Sequence, residues 1–299
     1  MSTILDNIVA TRRQALERAR LAFPLERVQQ RAEAREERRD FAAALSRPAA
    51  TGAQAGLRVI AELKRASPSR GTLRQDYDCR ELAAQYAAAG AAALSVLTEE
   101  QYFRGSTEHL TAARRSVAIP VLRKDFILED YQVYESVAVG ADALLLIVAI
   151  LPDRDLRSLL ALCNQLRVAA LVEVHTAQEA DRAAAAGARI IGVNNRNLKT
   201  LEVTLETSFE LRSKIPRGCL AVSESGIKTA ADLQRIQQAG FHAVLIGERF
   251  MTEPDPGAAL RGLLAEFAGT TENIENRKSK SENRNSKIES RNSASNSRG

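Results

Sequence analysis

The stretch AALVEVHTAQEADRAAAAGARIIGVNN, residues 169–195, decides the fold. It opens on an apolar run (169–175), passes into an alanine-rich helical segment (Ala177–Ala186), stops at Gly187 and enters a second apolar run (189–195). Near-continuous aliphatic runs mark parallel strands covered on both faces. A glycine just past a helix supplies the left-handed residue that ends it and returns the chain to the sheet. These residues therefore form one strand–helix–strand unit.

The same unit repeats in both directions. Further strand candidates are RVIAEL (58–63), AALSVLT (92–98), IPVLRKD (119–125), ALLLIV (143–148), CLAVSES (219–225) and AVLIG (243–247). Helical segments follow at Arg80–Ala89, Glu129–Val139, Asp153–Leu166 and Ala230–Ala239. Gly90, Gly140, Gly187 and Gly240 close helices at intervals of 50, 47 and 53 residues, about two βα units each. Eight units in roughly 210 residues, with no GxGxxG after the first strand, favour an α/β fold of the closed (β/α)8 TIM-barrel type over a doubly wound sheet.

Three regions follow. Residues 1–56 carry apolar residues at helical spacing (Ile4 and Ile8; Leu16, Leu21, Leu25 and Val28) and read as an extension of two or three helices packed on the barrel. Residues 57–269 are the barrel. Residues 270–299 hold 13 Ser or Asn and only three apolar residues, too few to offset chain entropy, so a disordered tail is expected. The net charge of +5 divides unevenly: the tail carries +3 and the other 269 residues only +2. Basicity is thus a property of the tail and gives the barrel no polyanion partner.

Three cysteines (Cys79, Cys163, Cys219), an odd number in no CxxC spacing, fit a reducing, cytoplasmic setting. The start of the chain has no secretory pattern, and the longest apolar run, Ala143–Leu151, is half a membrane span.

In such a barrel the chemistry sits at the C-terminal strand ends, where side chains alternate between the interior and the helix layer. Glu62 and Lys64 share the inward parity of Ile60, Lys124 that of Leu122, Glu173 that of Leu171, and Asn194 that of Gly192. A structural ion-pair plug is the alternative, but buried charge pairs rarely stabilise a fold more than apolar packing does. Acids and bases converging on a barrel mouth point instead to acid–base catalysis. The turns Ser223–Gly226 and Ile246–Arg249, after the last two strands, form the phosphate cradle usual in this fold. Arg65–Gly71 is polar and long enough to be a lid. Tyr102, Phe103 and Phe126 are placed to wall an aromatic substrate. His109, His175 and His242 show no metal-ligand spacing, and nothing calls for a metal or a cofactor.

The segments IAELKRASPSRG (60–71), PVLRKDFILEDYQVYES (120–136), IGVNNRNLKT (191–200), SESGI (223–227) and LIGE (245–248) resemble the indole-3-glycerol-phosphate synthase family of tryptophan biosynthesis, over roughly residues 2–268. The resemblance implies a carbon–carbon lyase that closes the ring of 1-(2-carboxyphenylamino)-1-deoxyribulose 5-phosphate with loss of carbon dioxide and water. It implies catalytic roles for Glu62, Lys64, Lys124, Glu173, Asn194 and Ser225. Ser67, Pro68, Phe103, Phe126, Arg196 and Leu198 are implied to bind substrate, and the backbone of Gly226, Gly247 and Glu248 its phosphate. Partial burial is expected to lower the Lys124 pKa toward the working range. Glu248, where some members have Ser, is expected to turn its side chain outward. Which of Glu62 and Glu173 is the principal base stays open.

The implied partner is a small-molecule substrate, with neither nucleic acid nor membrane. A monomer is expected, and association with other tryptophan-pathway enzymes is left open. Two alternatives are a related sugar-phosphate barrel such as phosphoribosylanthranilate isomerase, and nucleic-acid binding by the tail. Two lysines exceed what an isomerisation needs, and the tail lacks aromatic residues for stacking. Deleting residues 270–299 is expected to leave turnover and melting temperature unchanged, and salt-sensitive RNA binding lost on that deletion would contradict this.

Overall fold

The computed structural model describes residues 3–46, 56–198 and 200–270. The expected tail beyond Thr270 lies outside them. Eight parallel strands close into a barrel in the order β1-β8-β7-β6-β5-β4-β3-β2. They are β1 (Arg58–Leu63), β2 (Ala93–Leu97), β3 (Val121–Lys124), β4 (Ala143–Ile147), β5 (Ala169–Val174), β6 (Ile190–Asn194), β7 (Leu220–Glu224) and β8 (Ala243–Ile246). Each run expected from the sequence holds one of them, shortened by up to two residues at an end. Just past the strand ends, Thr98 Oγ1 donates to Asp125 Oδ2 at 2.6 Å. Gly90, Gly140, Gly187 and Gly240 all adopt positive φ, as the helix stops require.

The extension holds three helices, α1 (Ile4–Ala22), α2 (Leu25–Glu33) and α3 (Phe41–Ser46). Barrel-layer helices follow as α4 (Cys79–Ala88), α5 (Thr107–Ser116), α6 (Asp130–Ala138), α7 (Asp153–Gln165), α8 (Ala177–Ala185), α9 (Glu206–Leu211) and α10 (Ala230–Gln238). A short α11 (Glu248–Met251) and a last helix over 256–270 complete the described chain.

Two apolar layers separate by strand parity. Ile60, Leu122, Leu145, Leu171, Val222 and Leu245 fill the barrel interior, together with Ile8 of α1 and Phe41 and Leu45 of α3. The alternate residues, such as Ala61, Leu144, Val172 and Val244, pack against the surrounding helices. Alanines at the first inward positions (Ala93, Ala143, Ala243) leave room where α3 lies against β2 and β7.

The extension is tied down by charge as well as by apolar contact. Asp142, just before β4, is buried and accepts from Arg35 Nη2 at 2.7 Å and from the N–H groups of Arg39 and Val121 at 3.1 and 3.0 Å. Arg114 of α5 pairs with it at 3.0 Å. One carboxylate thus joins the extension, α5 and β3. Asp142→Ala leaves the sheltered guanidinium of Arg35 without its anion and Arg114 with only the exposed Glu37, and should cost about 3–5 kcal/mol in urea unfolding; a change below 1 kcal/mol would refute this account.

Candidate active site

Lys124 ends β3 on the inward face, beside Glu173 of β5 and Glu224 of β7. Its Nζ donates to Glu173 Oε2 at 2.7 Å and to Glu224 Oε2 at 2.9 Å. Lys64, one residue past β1, pairs with Glu62 at 2.8 Å. All five groups and Asn194 line one cavity of about 920 Å³ at the C-terminal strand ends. The convergence expected from strand parity is therefore present. Asn194 is held by its own loop, Oδ1 accepting from the N–H of Arg196 at 3.0 Å.

Glu224 was not singled out in the sequence, although it shares the inward parity of Val222. A second signal sits opposite: a Cβ on Gly192 would stand 2.1 Å from Glu224 Oε1, so β6 needs glycine there to admit the carboxylate. Gly247 does the same for Glu62, whose Oε1 lies 2.4 Å from where a Cβ would be.

With three glutamates against two lysines, the expectation for Lys124 reverses. Burial alone would lower its pKa, but the carboxylates of Glu173, Glu224 and Glu62 outweigh burial and hold it above the ordinary lysine value. Burial would likewise raise Glu173, yet the positive charges of Lys124 and the neighbouring His175 keep it well below the usual carboxylate range. Glu224 goes the other way. Burial, reinforced by the charge of Glu173, pushes it up to about 7 against the pull of Lys124. Its Oε1 is buried against Gly192 and has no hydrogen-bond partner among the described residues.

His175 closes β5 between two carboxylates, 3.3 Å from Glu173 and 3.2 Å from Glu179. Burial opposes its charge, but these contacts raise its pKa to about 9.

The opposite side of the cavity carries Ser225, Gly226, Lys228, Gly247 and Arg249. Ser225 and Gly226 are both left-handed, φ 67° and 81°, a costly conformation for serine. Buried Asn195 holds it in place, donating to Ser225 O and Ser223 Oγ at 3.0 Å and accepting from Ser208 N and Oγ. Phe103 and Phe126, ring centroids 6.1 Å apart, and Leu198 form an apolar wall. Tyr102 packs beside this wall without lining the cavity. In the loop after β6, Leu201 is left-handed at φ 62°.

Ser69 and Arg70 line the cavity, whereas Ser67 and Pro68 are not among its lining residues. The loop after β1 folds into a small hairpin pairing Ala66–Ser67 with Gly71–Thr72, which buries Ser67 and brings its tip to the mouth. Glu248 does not turn outward either. Its side chain bridges Arg70 Nε at 3.1 Å and Arg196 Nη2 at 3.3 Å, because two guanidiniums reach it from neighbouring loops.

The model of the family described as indole-3-glycerol phosphate synthase matches residues 5–263. The chain belongs to the indole-3-glycerol phosphate synthase family. The family's protein of that name from Chromobacterium violaceum is 49% identical over 263 residues, covering 88% of this chain and 98% of that one. Those from Albidiferax ferrireducens and Laribacter hongkongensis are 50% and 48% identical, covering 89% of this chain and 99% and 100% of theirs. In fold alone, the family's barrel is also similar to a 3-hexulose-6-phosphate synthase, with a TM-score of 0.57 at 16% identity over 70% of this chain and 99% of that one. Among the described residues of this family member, no three or more His, Cys, Asp or Glu are grouped to hold a metal ion. No described helix is long and apolar enough to cross a membrane.

The raised pKa of His175 has a sign that can be checked. Below its ordinary value of 6.5 the imidazolium is present in folded and unfolded chains alike, and its contacts contribute in full. That stability is lost as pH rises through about 9. The urea-unfolding difference between wild type and His175→Gln should therefore shrink from pH 6.5 to 9.5; a constant difference would contradict the assignment.

Proposed function

We propose that this chain is an indole-3-glycerol phosphate synthase acting on 1-(2-carboxyphenylamino)-1-deoxyribulose 5-phosphate. Besides family membership, one observation carries the reading. An ammonium group, Lys124, is fixed between two buried carboxylates, with an aromatic wall on one side and glycine turns on the other. The anthranilate ring lies against Phe103, Phe126 and Leu198, and the phosphate at Gly226 and Gly247. That places the ketone carbon of the sugar chain in the charged centre.

The ring carbon that bears the carboxylate attacks the ketone carbon, and a carbon–carbon bond forms as the carbonyl π pair moves onto oxygen. Lys124 gives that oxygen a proton. Its raised pKa keeps the proton loaded in the free site, and the developing alkoxide is basic enough to take it. Loss of carbon dioxide returns the bonding pair to the ring and restores its aromaticity. Departure of the new hydroxyl as water, with removal of a proton from the neighbouring CH2, leaves the indole double bond.

Lys64 binds the substrate carboxylate and supplies the proton for the leaving hydroxyl. Two features favour different bases for the CH2 proton. Glu173 is held ionised and so is ready to accept it. Glu224, pushed up to about 7, exchanges protons near neutral pH, and its side chain lines the same cavity. Asn194 and Ser225 position the hydroxyls of the chain.

The test is direct: supply this substrate and follow indole fluorescence. Wild type should form product, whereas Lys124→Ala should lower kcat by about 10²–10⁴-fold with unchanged circular dichroism. Folded wild type without product would overturn the reading, and full activity in the variant would overturn the role of Lys124.

A further inference from the structure

The phosphate end of the cavity already holds an anion supplied by the chain. Glu248, at the end of β8, stands between Arg70 from the loop after β1 and Arg196 from the loop after β6, at 3.1 and 3.3 Å. All three line the cavity beside Ser225, Gly226 and Gly247. Their side chains are 61%, 25% and 27% exposed for Arg70, Arg196 and Glu248. Ion pairs this wet are weak and easily exchanged. Guanidinium forks match phosphate at least as well as carboxylate, and a phosphate monoester brings more charge and more acceptor oxygens.

We propose that Arg70 is a phosphate-binding residue, and that Glu248 is an internal anion that keeps Arg70 and Arg196 over the cradle until the substrate's phosphate takes its place. The proposal rests on the functional reading above for the identity of the phosphate ester. The exchange explains why a carboxylate is kept beside a phosphate cradle. In the free site Glu248 offsets the repulsion between two guanidiniums on separate loops, and displacing it takes up part of the free energy of phosphate binding. With Glu248 in place both forks are already aimed, and its exposure gives it a path to solvent once displaced. Lys228 and Arg249 line the same cavity and add positive charge that favours the incoming dianion. The hairpin tip carrying Arg70 then stays over the mouth in both states and only changes its anion.

The experiment is a double-mutant cycle on the full chain with inorganic phosphate as probe, read as Ki against indole formation and as Kd by calorimetry. Glu248→Gln should tighten phosphate on the order of tenfold, the equivalent of about 1.4 kcal/mol. Arg70→Gln should weaken it, and in the double variant the gain from Glu248→Gln should disappear. A gain that persists undiminished without Arg70 would show only general repulsion and overturn the proposal, as would no gain at all. Additive effects in an enzyme that makes product sink this inference alone. Absence of product in wild type, with the calorimetric cycle intact, sinks the functional reading instead.

Discussion

The two-residue pleat of a closed barrel strand is the constraint on which this molecule turns. At the end of β3 it sends Lys124 inward and its neighbours, Arg123 and Asp125, outward into the helix layer. Arg123 is fully buried there, bonded to Asp125 and Thr98 at 3.0 Å and paired with Glu135 of α6 at 2.7 Å. Asp125 also receives Arg12 of α1 at 2.7 Å. Burial would raise the Asp125 carboxyl, but the two guanidiniums keep it below the ordinary range and charged. Three consecutive residues thus carry the lysine at the centre of the cavity and, back to back with it, the tie between the helical extension and the barrel.

This arrangement has an energetic logic. Charged groups removed from water cost stability unless they are paired and hydrogen-bonded. The outward carboxylate meets that condition: Asp125 accepts from Arg12, Arg123, Thr98 and the N–H of Phe126. The inward cluster does not. It has more carboxylates than ammonium groups, and one oxygen of Glu224 is left without a partner. A buried set that is one hydrogen bond short is a poor stabiliser and a good proton-transfer site. The anchoring carboxylate is fully bonded, whereas Glu224 in the inward cluster is not.

Much of this was legible in the sequence. Parity alone placed Glu62, Lys64, Lys124, Glu173 and Asn194 on one face, because in a barrel the inward direction is set by counting from any core residue. The helix-ending glycines could be read for a similar reason, since only the local backbone conformation is at stake. Glu224 was equally readable by the same count, and Gly192 across from it was the confirming mark. His175 and Asn195 were harder. Their roles depend on partners: Glu179, four residues on, whose turn position has to be known, and Ser208, whose side chain faces Asn195 only once α9 has docked.

What the sequence determined by itself was the period of the chain: eight apolar strands, their helices, the parity of each charged residue and the glycines that make room. Those are local properties, carried by neighbours two to four residues apart. Only the tertiary structure decided the signs and the partners. It raised Lys124 where burial alone would lower it, and it turned Glu248 into the mouth between Arg70 and Arg196. It also put Ser69 and Arg70, and not Ser67 and Pro68, on the cavity wall. Each of these outcomes is a sum over charges and contacts from elements distant in the chain, and no local pattern contains that sum.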